Sequence, residues 1–91
     1  MPKIMIESYP NEDKLADLGV YYWDIWEKEV SEFPWKYDER EKCYILEGKA
    51  EIVLEDGDTL TIEKGDLIIF PRGLKCTWKV TENIRKHYMI G

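Results

Sequence analysis

Ninety-one residues make one domain, and a hydrophobic content of 44% with 13% aromatics supplies a core, which excludes a disordered chain. The net charge of −6 comes with Lys and Arg scattered singly, which excludes a clustered basic face and hence a nucleic-acid partner. The longest apolar run, residues 67–70, is too short to span a bilayer, and no signal-peptide pattern follows Met1-Pro2-Lys3, so a cytoplasmic protein with reduced thiols and no membrane contact is expected.

Residues 2–6 are short and β-prone. Residues 11–19 read as one short helix, with Asn11 as N-cap, acidic residues in the first turn, Gly19 as terminator, and Leu15 and Leu18 on a shared face. Residues 20–37 are dense in aromatics, and Phe33, Trp35 and Tyr37 recur at a period of two, which places them on one face of a strand. Residues 41–46 form the next strand, ended by Glu47-Gly48, and residues 50–54 another. Glu55-Asp56-Gly57 is a hairpin signal, and residues 59–62 the return strand. Lys64-Gly65-Asp66 turns the chain into a buried strand at 67–70, and Pro71-Arg72-Gly73 stops it. Strands at 76–80 and 84–90 complete the chain. Many short strands with evenly spaced turns predict an all-β sandwich or barrel over residues 1–91, with no linker or repeat. The chain has no glutamine and only Asn11 and Asn83 as asparagines, against abundant Glu and Lys, a bias found in thermophile proteins.

Two stretches have a more specific punctuation. Gly65, Pro71 and Gly73 are followed by Cys76 and Val80; Glu41 is followed, after Lys42-Cys43-Tyr44-Ile45-Leu46-Glu47, by Gly48. This pair of spacings resembles the two conserved motifs of the cupins, and implies a double-stranded β-helix, or jelly-roll barrel, with one short N-terminal helix. Further likeness in Trp26-Glu27, Phe33-Pro34-Trp35, Glu41-Lys42-Cys43-Tyr44, Trp78 and Lys86-His87-Tyr88 is similar to small single-domain (RmlC-like) cupins related to the cupin domains of ureidoglycine aminohydrolase. On that template the metal-binding histidines of the family fall at Trp35, Tyr37 and Cys76, the asparagine at Val80, and only the glutamate is kept, as Glu41.

No bound cofactor is therefore expected; the donor set leaves room for at most a weakly held divalent ion. A site of Glu41, Cys43, Cys76 and His87 is the alternative that would hold a metal. Cys43 and Cys76 read as small buried hydrophobes, with a disulfide or redox pair as the competing reading. The expected ligand pocket comprises Trp35, Tyr37, Glu41, Cys43, Cys76, Trp78, Lys86 and Tyr88. Phe33 is expected in the core. Glu41 is either a proton-transfer group in an aromatic pocket or a buried carboxylate bound to Tyr37 or Lys86, with Cys76 as a second candidate catalytic group. Lys86, His87 and Tyr88 alternate faces with a parity that the sequence leaves open. Three functions compete: binding of a small molecule without metal chemistry, catalysis by Glu41 on a small nitrogenous or carbohydrate-derived metabolite, and an interaction module that forms a homodimer through exposed aromatics in residues 20–26.

Overall fold

A computed structural model describes residues 3–91. Its elements are β1 (Met5–Ser8), α1 (Glu12–Leu18), β2 (Asp24–Lys28), β3 (Ser31–Lys36), β4 (Glu41–Leu54), β5 (Thr59–Glu63), β6 (Asp66–Phe70) and β7 (Lys75–Ile90). Every strand pairing is antiparallel. The fold is all-β, a cupin jelly roll with one helix. Pro2, the expected start of the first strand, lies outside the described residues.

Two long strands organise everything else. β4 and β7 pair along nearly their whole length. The first part of β4 also pairs with β6, and its second part with β5. The first part of β7 pairs with β3, and its second part with β2. Each long strand thus belongs to both layers of the jelly roll, and the space between the layers is the core.

Here the structure corrects the reading of short strands ended at Gly48 and split after Val80. The β4–β7 ladder shifts register between Ile45 and Ala50 but does not stop. This irregularity resets the alternation of β4: Glu41, Cys43 and Ile45 point inward before it, Ala50 and Ile52 after it. Gly48 makes the passage possible. It has φ +91°, and a Cβ on it would sit 2.1 Å from the backbone oxygen of Asn83. A β-bulge of this kind bends a strand without ending it.

α1 is capped as the sequence predicts: Asn11 Oδ1 accepts from the Lys14 N–H at 2.9 Å, and Gly19 adopts φ +73°. A 3-10 turn, Val20–Tyr22, follows it. Leu15, Val20 and Trp23 pack on Leu67 and Tyr44, on the outside of the first layer. Leu18, expected beside Leu15, is exposed instead, because a helix this short meets the sheet over one turn only.

Gly48→Ala is expected to cost about 2–4 kcal/mol in urea denaturation, since strain and a backbone collision coincide there. Gly57→Ala, at φ +92° but with open space around the new Cβ, should cost only about 1–2 kcal/mol.

Candidate functional site

Between the layers, at the end where β4 begins and β7 finishes, a cavity of about 200 Å³ is lined by Trp26, Phe33, Trp35, Tyr37, Glu41, Trp78, Lys86, Tyr88 and Ile90. Strand alternation delivers these side chains: 33, 35 and 37 from β3 and the segment after it, 78, 86, 88 and 90 from β7, 41 from β4 and 26 from β2. Six rings thus surround one carboxylate and one ammonium. Trp78 stacks with Phe33 at a centroid distance of 6.2 Å and meets Trp26 edge-on at 5.9 Å. Tyr37 stacks on Phe70 at 4.6 Å, and its phenol oxygen accepts from the Trp78 indole N–H at 3.2 Å.

The charged pair lies at the bottom. Lys86 is 5% exposed and Glu41 6%. Their Cα atoms are not opposite one another: Lys86 faces Ile45 across the ladder, and Glu41 faces Ile90. The long lysine chain therefore runs along the interior past Cys43. Its Nζ donates to Cys43 Sγ at 3.2 Å and to Glu41 Oε2 at 3.0 Å, and Cys43 Sγ donates to the same carboxylate oxygen at 3.0 Å. The Trp78 and Trp26 rings lie 4.8 and 4.9 Å from Nζ, a cation–π arrangement that covers the ammonium with carbon while meeting its charge.

These surroundings set the protonation states. Burial disfavours the Lys86 ammonium, but the adjoining Cys43 and Glu41 outweigh it, and its pKa is raised. Burial pushes the Cys43 thiol up to about 12, against a lowering by Lys86. Burial pushes Cys76 up to about 11. Burial also raises the Tyr37 phenol, with Cys43 and Glu41 adding to the effect. At neutral pH both thiols and the phenol are protonated, and the cavity floor is formally neutral.

Of the residues expected in the pocket, Trp35, Tyr37, Glu41, Trp78, Lys86 and Tyr88 line the cavity. Cys43 lies behind it, in contact with the ion pair. Cys76 is buried, its thiol pKa is raised, and it is not among the residues that line the cavity. Phe33, expected in the core, is a half-buried wall of the cavity. Trp26 and Ile90 were not foreseen as lining residues. The open parity resolves with Lys86 and Tyr88 inward. His87 lies on the other face of β7, where it is covered rather than exposed: its Nδ1 is 3.1 Å from the Trp23 carbonyl, and Tyr21 packs edge-on against it.

The residues present do not fit a metal centre. Trp35 offers no lone pair, Tyr37 and Cys76 are held protonated, and the Glu41 oxygen Oε2 is already taken by an ammonium. The alternative set with Cys43 and His87 is not assembled, because His87 is on the opposite face of the sheet. Among the described residues, no three His, Cys, Asp or Glu side chains converge on a point that could hold an ion. Both cysteines are free.

Residues 15–88 match the family described as the EutQ-like cupin domain. The chain belongs to that family. A DUF861-family protein from Thermotoga maritima is 57% identical, with a TM-score of 0.94 over 98% of this chain and 100% of that one. EutQ from Clostridium difficile is 26% identical, with a TM-score of 0.65 over 70% of this chain and 50% of that one; the present cupin spans about half the length of that relative. The polyketide cyclase RemF from Streptomyces resistomycificus, 23% identical with a TM-score of 0.59 over 70% of this chain and 49% of that one, shares the fold. No curated protein matches the chain. Among the described residues, no helix is long and apolar enough to cross a membrane.

Removing one partner of the buried pair should be severe. Lys86→Met is expected to lower stability by about 3–5 kcal/mol in urea denaturation, and Glu41→Gln/Lys86→Met to recover much of that loss. A pH series supplies a second check. The thiols have an ordinary pKa of 9.0 and folded values of about 12 and 11, so above pH 9 the unfolded chain releases protons that the folded chain keeps. Their contribution is complete below pH 9 and falls away as pH rises towards 11–12, with a slope of about 1.4 kcal/mol per pH unit for each such group.

Proposed function

We propose that this cupin binds a small molecule in the aromatic cavity and does so without metal chemistry. The observation that carries the reading is the combination of six aromatic rings with an internally neutralised Lys86–Glu41 pair on the floor. Concave, mostly apolar sites with a few placed polar groups are what small-ligand pockets look like. At about 200 Å³ the space falls below the roughly 300–1,000 Å³ typical of pockets for drug-sized ligands, so the ligand is a single-ring or comparably compact metabolite. Half-exposed Trp35 and Ile90 stand at the mouth, where a ligand enters.

The enzymatic alternative draws on the likeness to ureidoglycine aminohydrolase cupin domains and on Glu41, whose Oε1 accepts no hydrogen bond among the described residues. In that reading Glu41 moves a proton on a small nitrogenous or carbohydrate-derived substrate. Binding is the better supported of the two, because the ammonium on Oε2 and the protonated thiols leave Glu41 without a second reactive group beside it. An unchanged turnover in Glu41→Gln would remove the enzymatic alternative.

The test is a thermal-shift series with compact neutral rings, sugars, carboxylates and amines on the wild-type chain and on Ile90→Trp, whose indole would fill the mouth. At least one class should raise Tm, by an amount equivalent to about 2.7 kcal/mol at a concentration of 100 times Kd, and Ile90→Trp should abolish the effect. Stabilisation that survives in Ile90→Trp, or none from any class, would contradict the reading.

A further inference from the structure

We infer that the ligand is a planar, uncharged ring carrying an N–H donor next to a carbonyl acceptor, the chemistry of a cyclic amide; this inference rests on the binding function proposed above. It follows from counting which hydrogen-bonding valences on the cavity wall are spent and which are open.

Lys86 uses two N–H groups on Cys43 and Glu41 and turns its remaining surface to the Trp26 and Trp78 rings. Glu41 Oε2 already accepts from both Lys86 and Cys43. Oε1 accepts from no group among the described residues, yet it is not sealed in protein: the one buried side-chain nitrogen or oxygen without a partner among those residues is Trp23 Nε1, on the outer face. Glu41 Oε1 is therefore an acceptor left for the cavity. Tyr37 accepts from Trp78 but donates its own hydrogen to none of the described residues. Since its phenol stays protonated, Tyr37 supplies a donor. The remaining lining residues, Trp26, Phe33, Trp35, Trp78, Tyr88 and Ile90, are predominantly carbon, with the Tyr88 hydroxyl and the Trp26 and Trp35 indole N–H groups as further donors that bond to none of the described residues.

A carboxylate acceptor and a small set of hydroxyl and indole donors, flanked by ring faces, favour a ligand that presents both an N–H and a carbonyl oxygen. An N–H would meet Glu41 Oε1, a carbonyl oxygen would meet the Tyr37 hydroxyl, and the ring would lie against the aromatic walls. Other classes fit less well. A carboxylate or an ammonium would bring an unpaired charge into a cavity whose own charges already cancel. The aromatic cage that could hold a cation is occupied by Lys86. A sugar would bury several hydroxyls against mostly carbon walls, and each one left unpaired loses its hydrogen bonds to water.

The test titrates the whole chain with 2-pyridone and follows the indole N–H resonances of Trp26, Trp35 and Trp78 by NMR. N-methyl-2-pyridone, benzoate, benzylamine and glucose are titrated alongside. 2-Pyridone is expected to give saturable shifts, and its N-methyl derivative to bind roughly tenfold more weakly for want of one hydrogen bond. Tyr37→Phe, which leaves the Lys86–Glu41 pair intact, should weaken 2-pyridone by a similar factor. Equal binding of 2-pyridone and its N-methyl derivative, or tighter binding of benzoate, benzylamine or glucose, would overturn the ligand class and leave the binding function standing. Silence from all five compounds, together with no thermal stabilisation by any class, would overturn both.

Discussion

A lysine and a glutamate buried side by side in a chain this small constrain everything around them. Neither can be desolvated alone without a penalty of several kcal/mol, so each requires the other at hydrogen-bond distance. The Lys86–Glu41 contact of 3.0 Å supplies that, and the indole faces of Trp26 and Trp78 complete the cover of the ammonium. The pair in turn depends on the β4–β7 ladder, because only that register lets a side chain opposite Ile45 reach Glu41. Fold, bulge and site are one problem: the Gly48 passage sets where β4 turns from one layer to the other, and the residues before it provide the floor of the cavity.

This arrangement places a buried ion pair inside a EutQ-like cupin frame. The glutamate remains, but its charge is met by an internal ammonium. The positions that the cupin template assigns to histidines are taken by an indole, a phenol and a thiol, two of them held in their protonated forms by burial. What is left is a carbon-walled space with a small and countable set of polar groups, suited to recognition of shape and hydrogen bonding.

Much of the fold was legible in the residues. The period-two run of Phe33, Trp35 and Tyr37, the Asn11 and Gly19 caps and the Gly65…Pro71…Gly73 spacing each reflect a local rule, and local rules can be read in a chain without its partners. The misreadings share a different cause. Glu47-Gly48 is a valid strand-ending signal in isolation; it becomes a bulge only because Asn83, far away in sequence, lies against it. Phe33 was expected in the core because alternation distinguishes faces, not depth. Trp26 was missed because its role depends on β2 lying beside Lys86. Glu41 was expected to bind Tyr37 or Lys86, and the choice between them depends on a register set across more than forty intervening residues. His87 follows the same logic: its face could be settled only once Lys86 was seen to point inward.

The central claim is that Lys86 is an ammonium at neutral pH, paired with Glu41 beneath the aromatic rings. Nitrogen-15 NMR of the lysine side chains at neutral pH tests it most directly. The account predicts one slowly exchanging ammonium resonance, assigned to Lys86 and close in space to the Trp26 and Trp78 ring protons. A neutral amine at Lys86, or an ammonium that exchanges with water like those of the surface lysines, would contradict it.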